Sequence, residues 1–345
     1  MKKCKGCGAL LQNESIDLAG YVVKDNQEYC QRCFRLIHYG DLKNLNKLKV
    51  NNEDVFNIYK EHQKNIFILI VDVFDALILD QDALLDIYRD YKVILVINKI
   101  DLLPKNITEE KLENIYSNIL SNTKYNNIIS CLLTYKGDPN FNTLFFDLLS
   151  EQKETNYLFV GRVNAGKSTI INKLIGSNDL TTSTYPGTTV NINTITFDNY
   201  CFIDTPGLND EESFVNYIDK NQIQFLFPNK CIKPKTFQLY DKQSYIIEGL
   251  VRVDIIPKKN SSIKFIINNE IEPHRTNIDN GENYINKHQK EFIVKLLPLY
   301  PNRFVISDEK AFVIKGLGYI KVQGKCDINI NVYNKIKIYT SEVNL

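Results

Sequence analysis

The residues Gly161-Arg162-Val163-Asn164-Ala165-Gly166-Lys167-Ser168-Thr169 spell G-x-x-x-x-G-K-S, a spacing that suits one piece of chemistry, the cradling of a nucleotide's phosphates. Gly161 and Gly166 let the backbone curl around a diphosphate with its N–H groups aimed inward, and the start of the next helix adds a partial positive charge. The expected phosphate-binding set is therefore Gly161, Asn164, Ala165, Gly166, Lys167, Ser168 and Thr169. Lys167 would reach the β- and γ-phosphates, and the Ser168 hydroxyl would ligate Mg²⁺. The elements needed to position the loop are in place: residues 157–160 predict a short buried strand running in, and 168–175 a helix running out. A chance glycine turn has no reason to be framed that way. The loop stands mid-chain, whereas such a loop usually opens its domain.

A second constellation lies at the N-terminus. Cys4-x-x-Cys7 and Cys30-x-x-Cys33 are separated by a 22-residue spacer, which reads as a tetrahedral Cys₄ zinc site. Gly6 and Gly8 permit the tight turn that directs N–H groups at the thiolates. Two disulfides would require an oxidising compartment that nothing in the sequence supports. Four thiolates leave no open position, so the expected role is structural. The few apolar residues between the pairs cannot form a core alone, so the metal should supply much of the folding energy. His38 then has a packing or RNA-contact role.

The strands around the phosphate loop carry further motifs. Residues 66–72 and 93–97 are continuous apolar runs of the buried parallel type, with a helical stretch near 80–89 between them. The second run ends in Asn98-Lys99-Ile100-Asp101, which resembles N-K-x-D, the guanine-reading motif of Ras-like GTPases. A carboxylate at Asp101 can accept guanine N1–H and N2–H together, a donor pair adenine lacks. By that resemblance Asn98 orients the loop and Lys99 lays its stem along the base. Residues 128–133 predict another strand, and Thr134-Tyr135-Lys136-Gly137 stands where such GTPases carry an S-A-K-like base-contacting loop. Tyr185-Pro186-Gly187-Thr188-Thr189 is similar to switch I of translation-factor-like GTPases, with Thr189, or in competition Thr188, as the Mg²⁺ and γ-phosphate residue. Strands at 190–196 and 200–203 lead to Asp204-Thr205-Pro206-Gly207, which matches D-x-x-G: Asp204 holds Mg²⁺ through water and the Gly207 N–H touches the γ-phosphate. The motifs follow one another in rotated order. The expected fold class is α/β, a circularly permuted Ras-like P-loop GTPase domain, a rearrangement that nearby termini allow.

Two departures bear on mechanism. Leu208 stands where Ras-like enzymes place a water-orienting glutamine. Asn164 occupies the position that coordinates K⁺ in potassium-activated members of that group, and its other reading is a loop-stabilising amide. Lys167, Asn164, Thr189 and Gly207 are the expected catalytic set, with slow intrinsic turnover.

After residue 218 a basic linker, 230–235, precedes short β-rich runs at 244–247, 250–256, 263–267 and 311–314. The last enters a strand–turn–strand at 315–322, and 280–296 predicts a helix. The expected division is a zinc module at 1–48, the permuted domain at 49–218 and a mostly β C-terminal domain at 219–345. The net charge is +1, with net basic flanks and a net acidic middle, so the flanks fit either nucleic acid or solvated surface. Phe237, Arg252, His274, Arg275, Tyr319 and Lys321 are candidate RNA contacts, each equally readable as packing or solvated charge. Cys131, Cys201, Cys231 and Cys326 read as small buried residues. No apolar run is long enough to span a bilayer, and the first residues carry no secretory signal, so cytoplasmic residence and no membrane are expected.

Along its whole length the chain resembles the YqeH-type GTPases. The resemblance rests on residues 4–8 and 30–39, the permuted motifs, I-K-P-x-x-F-Q-L at 232–239, P-H-R-T at 273–276 and G-L-G at 316–318. It implies GTP and GDP as ligands, Mg²⁺, Zn²⁺ and K⁺ as ions, and the small ribosomal subunit and its rRNA as partners of a monomer that uses hydrolysis as a timer. Two rivals remain. A P-loop kinase or ATPase conflicts with Asn98–Asp101, and an RNA-binding scaffold with an inactive GTPase conflicts with the intact Lys167, Ser168, Thr189 and Asp204.

Overall fold

The computed structural model describes residues 2–6, 8–14, 20–24, 26–31, 33–34, 51–107, 109–121, 123–176 and 192–341. Cys7, His38, Thr188 and Thr189 lie outside them. The chain divides into two compact units. One is Met1–Val73, Ala83–Ile100 and Tyr116–Asn209; the other is Phe74–Asp82, Asp101–Ile115 and Asp210–Leu345.

The first unit is built on a six-stranded sheet: β1 (Ile66–Asp72), β2 (Val93–Asn98), β3 (Ile128–Leu133), β4 (Asn156–Val160), β5 (Asn193–Phe197) and β6 (Tyr200–Asp204). Their spatial order is β3-β2-β1-β4-β6-β5. All run parallel except β5, which pairs antiparallel with β6. β1 and β2 are apolar and buried almost throughout, as strands covered on both faces must be. Helix Phe141–Ser150 presents Phe141, Phe145 and Leu149, a stripe at i, i+4 and i+8, and helix Lys167–Ile175 presents Ile170, Ile171 and Leu174. Both stripes join the core formed by Ile68, Ile70, Phe159 and Phe202. The register sets Asp72 opposite Asn98 and Phe159 opposite Asp204. The polar ends of three strands thus collect at one carboxyl edge, the usual ligand-binding edge of an open α/β sheet. The helix expected near 80–89 is confined to Leu84–Ile87, and residues 74–82 belong to the second unit.

The second unit holds two five-stranded antiparallel sheets. Their strands are β7 (Lys235–Leu239), β8 (Gln243–Ile247), β9 (Val251–Pro257), β10 (Ser261–Ile267), β11 (His274–Asn277), β12 (Tyr300–Ile306), β13 (Glu309–Ile314), β14 (Gly318–Gln323), β15 (Cys326–Val332) and β16 (Ile338–Ser341). The orders are β16-β13-β14-β10-β7 and β11-β8-β9-β15-β12. Alternation is clean in β15, where Cys326, Ile328, Ile330 and Val332 turn inward and join Phe265, Tyr245 and Phe312 in one core.

Two further expectations need correction, and the open alternatives at Phe237 and Tyr319 narrow to packing. The helix expected over 280–296 stops at His288. Beyond it the backbone pairs with Gly249, whose N–H donates to the Val294 carbonyl at 3.0 Å and whose carbonyl accepts from Leu296 at 2.8 Å, and Val294 is fully buried. Burial of Val294 through a bridge outcompetes another two helical turns. Phe237 and Tyr319 are packing residues: Phe237 contacts the rings of Tyr245 and Phe265, and Tyr319 is 2% exposed. Of the remaining thiols, Cys326 is buried while Cys131, Cys201 and Cys231 are only partly so.

Truncating the central Phe159 to Ala should destabilise the first unit by about 3–5 kcal/mol, whereas Val305→Ala, at 76% exposure, should stay within about 0.5 kcal/mol. Urea denaturation followed by circular dichroism measures both; equal midpoints for the two variants would contradict the burial assigned to Phe159.

Candidate functional site

The phosphate loop leaves β4 after Val160 and enters helix Lys167–Ile175. Gly161 has φ +138° and Gly166 φ +101°, backbone that L side chains rarely adopt. A Cβ on Gly161 would collide with the Ile70 carbonyl oxygen, and one on Gly166 with the Asn98 amide nitrogen. Both glycines are thus demanded by conformation and by space. Asn164 also lies in the left-handed region, at φ 66°, and its buried Nδ2 has no hydrogen-bond partner among the described residues.

The end of β2 is fastened to this loop. Asn98, 4% exposed, donates from Nδ2 to the Ala165 carbonyl at 2.9 Å and accepts the Lys99 N–H at 2.8 Å. Lys99 donates from Nζ to the Asn164 carbonyl and to Asp72 Oδ2, both at 2.6 Å. Asp72 was missed in the sequence; its signal was available, since β1, like β2, is an apolar strand ending in one polar residue. Asp101 is exposed in the short turn Ile100–Leu102 that follows. The Thr134 loop closes behind β2: Thr134 is 1% exposed, donates its N–H to the Ile97 carbonyl at 2.9 Å and accepts from the Ile100 N–H at 3.3 Å. Lys136 is exposed.

The third contribution comes from β6. Asp204 is fully buried and its Oδ2 accepts from the Ser168 hydroxyl at 3.0 Å. A hard divalent cation takes a hydroxyl and carboxylates as ligands, directly or through water, so this pair fits Mg²⁺. Thr205, also missed, donates its hydroxyl to the Phe159 carbonyl at 2.8 Å and anchors the turn before Gly207. Lys167 is 7% exposed and donates to the carbonyls of Gly161 and Arg162 at 3.3 and 3.1 Å. Desolvation lowers its pKa to about 8, with the Asp204 charge opposing the shift. A buried ammonium held mostly by carbonyls is a site prepared for an anion.

At the N-terminus the Cys4, Cys30 and Cys33 sulfurs lie within 4.8 Å of one another, all buried. The Cys30 N–H points at Cys4 Sγ from 3.1 Å and the Cys33 N–H at Cys30 Sγ from 3.5 Å. Tetrahedral zinc with Zn–S near 2.3 Å sets its sulfurs about 3.8 Å apart, so the donor set fits zinc. Among the described residues, no helix is long and apolar enough to cross a membrane.

Comparison with known proteins agrees with this geometry. Residues 156–294 match the family described as 50S ribosome-binding GTPase, and 65–213 match RsgA GTPase. The chain is 29% identical to the uncharacterized protein YqeH of Bacillus subtilis, over 92% of each chain. It is 29% identical to GTPase Der of Buchnera aphidicola over 65% of this chain and 51% of that one. It is 23% identical to the chloroplastic/mitochondrial NO-associated protein 1 of Arabidopsis thaliana, over 73% and 54%.

The depressed pKa of Lys167 has a sign that can be followed. Between about 8 and the usual lysine value near 10.4 the empty site holds Lys167 neutral, while a bound phosphate restores its proton. Binding therefore takes up a proton there, and phosphate affinity falls as pH rises through about 8. Calorimetry of GDP binding in buffers of different ionisation enthalpy should register that uptake at pH 8.5 in the native chain. Lys167→Arg, which keeps its charge, should lose it.

Proposed function

We propose that this chain, a GTPase of the YqeH type, is a circularly permuted Ras-like switch that hydrolyses GTP during assembly of the small ribosomal subunit, binding rRNA while it does so. The observation that carries the switch is the convergence of Asn98, Lys99, Lys167, Ser168 and Asp204 at one sheet edge, although the β2 motif precedes the phosphate loop in the chain. A strand order of β3-β2-β1-β4-β6-β5 sets the loop-bearing β4 between β1 and the D-x-x-G strand, which suits a rotated chain order.

In this reading the inward N–H groups of Asn164 to Thr169 hold the phosphates, Asp101 accepts from the guanine edge, and the stem of Lys99 lies along the base. Ser168, Thr189 and Asp204 would hold Mg²⁺, which neutralises charge on the β- and γ-phosphates when bound. Lys167 stabilises the charge that builds on the γ-phosphate, and Gly207 donates its N–H to the same group. With Leu208 in the glutamine position, no side chain there orients water, so intrinsic turnover is slow. An amide ligates a cation through its oxygen, so K⁺ would be held by Asn164 Oδ1; this role rests on the position of Asn164 in the phosphate loop and on the resemblance alone. Cys4, Cys7, Cys30 and Cys33 would hold structural zinc in a module spanning about residues 1–48. Functionally, 49–218 carry the switch, and 219–345, with exposed His274 and Arg275, carry RNA contacts. The matched family's description names the 50S subunit; the small subunit is inferred from the resemblance over residues 4–8, 30–39, 232–239, 273–276 and 316–318.

The test is GTP hydrolysis by purified chain in KCl and in NaCl, with Lys167→Ala and Asn164→Ala. Slow turnover that K⁺ stimulates and both substitutions abolish is expected; equal rates in the two salts would remove the potassium role, and no turnover would favour an inactive scaffold. Co-sedimentation with separated 30S and 50S subunits should show nucleotide-dependent binding to the 30S, and binding to the 50S alone would overturn the subunit assignment. Incubation with a strong chelator should release about one zinc per chain and loosen the N-terminal module. A chain that holds no zinc when purified without chelator would dismiss the zinc module.

A further inference from the structure

Asn52 and Asn209, 157 positions apart in the chain, are joined by two hydrogen bonds. Asn52 Nδ2 donates to the Asn209 carbonyl at 3.0 Å, and Asn52 Oδ1 accepts the Asn209 N–H at 2.8 Å. A side-chain amide that answers both backbone groups of one residue imitates a neighbouring peptide and fixes that residue's orientation. Asn52 opens helix Asn52–Glu61, which leads into β1, and Asn209 follows the D-x-x-G turn. Both belong to the first unit, which the chain leaves after Asn209.

The same face of that helix touches the site a second time. Tyr59 follows Asn52 at i+7, so the two side chains share one helical face, and Tyr59 is 1% exposed. Its ring meets Phe67 of β1 edge-on, with centroids 5.6 Å apart, and its hydroxyl lies 3.2 Å from that of Tyr88. Burial raises the Tyr59 pKa, while hydrogen bonding to Tyr88, to the Thr205 side chain and to the Gly161 backbone opposes the rise. Tyr59 therefore lies against the first glycine of the phosphate loop and the second residue of the D-x-x-G turn. Those two segments are paired with each other: the Leu208 N–H donates to the Gly161 carbonyl at 3.1 Å, and the Leu208 carbonyl accepts the Val163 N–H at 3.0 Å. One helix face thus holds the paired segments at two points, residue 209 on one side and residues 161 and 205 on the other.

We propose that Asn52 is a positioning residue for GTP hydrolysis: by fixing Asn209 it keeps the D-x-x-G turn in register with the phosphate loop, and Tyr59 supports the same two segments. The proposal rests on the GTPase reading above and adds to it the group that closes the rotated domain. In that rotated order, residues 209 and 52 are the points that a chain in the usual order would join covalently, and the amide pair takes the place of that link. Asn52 touches no substrate; it acts through residues 207–209, and so through the aim of the Gly207 N–H.

The experiment measures GTP turnover and GDP affinity in the full native chain, Asn52→Ala, Asn52→Asp and Tyr59→Phe. Expected for Asn52→Ala is a fall in kcat of about tenfold or more, since a misplacement of about 1 Å can cost about a hundredfold. GDP affinity should stay unchanged, because GDP has no γ-phosphate for Gly207 to meet. Asn52→Asp, which keeps the acceptor for the Asn209 N–H, should lose less, and it carries the test if Asn52→Ala misfolds. Tyr59→Phe, which removes only a hydroxyl, should also lower kcat. Hydrogen exchange of the GDP-bound chains should rise at residues 205–209 in Asn52→Ala and stay unchanged in β1 and β2. An unchanged kcat overturns the proposal and leaves the GTPase reading intact. Equal losses of kcat and GDP affinity, with exchange raised through β1 and β2, would show a merely structural asparagine and overturn it as well. A native chain that hydrolyses no GTP overturns both.

Discussion

The parallel register of β1, β2, β4 and β6 is the constraint on which the site depends. It brings Asp72 level with Asn98 and Asp204 level with Phe159, so polar strand ends meet the phosphate loop at one edge. A shift of one residue in any strand would exchange its two faces and withdraw its polar end. Nothing else in the unit could restore the contacts, because each is short and specific: Asn98 to Ala165, Lys99 to Asn164, Ser168 to Asp204. The unbroken apolar runs of β1 and β2 keep both strands in the interior of the sheet, buried on both faces.

Register of this kind is indifferent to the order in which the chain visits the strands. The site needs β2 beside β1 and β4 between β1 and β6, and it has them although β2 and its motif come first. Chain order matters instead for what is attached to what. Here the segment after β6 does not return to the sheet: within seven residues of Gly207 the chain enters the core of the second unit at Phe214. The D-x-x-G turn is thereby joined covalently, by a short tether, to an antiparallel β unit.

Much of this was legible in the sequence, for physical reasons that also explain the gaps. Long apolar runs and glycines with fixed spacing identify β1, β2 and the phosphate loop, because burial and φ > 0 leave few alternative residues. Thr205 and Asn52 carried no such signal: a threonine that caps a carbonyl and an asparagine that pins Asn209 look like ordinary surface residues until their partners are known. In the second unit, β7, β11, β12, β15 and β16 went unread: four are sheet edges, β12 containing Pro301, which an edge strand tolerates, and in central β15 the alternate Asp327, Asn329 and Asn331 interrupt the apolar run. The helix expected through 296 had a suitable pattern but lost to the bridge at Gly249. Tyr319 was readable either as a stacking platform or as packing, and burial makes it core. Composition cannot distinguish those two environments for an aromatic ring.

Among the described residues two lysines are buried, one in each unit, and their charges are answered differently. Lys167 is satisfied mainly by the carbonyls of Gly161 and Arg162, and desolvation weakens its hold on its own proton. Its charge is incompletely answered until phosphate arrives, so this lysine gains from a ligand. Lys315 is answered in advance by Asp82, Asp210 and Glu212, and the Tyr339 hydroxyl and burial oppose one another at Glu212, whose pKa still falls below the usual carboxylate range. That lysine gains nothing from a ligand and loses if its carboxylates are drawn off. Burial of the same side chain thus serves two ends: at Lys167 it prepares a place for an anion, and at Lys315 it ties together segments of one unit that are far apart in the chain.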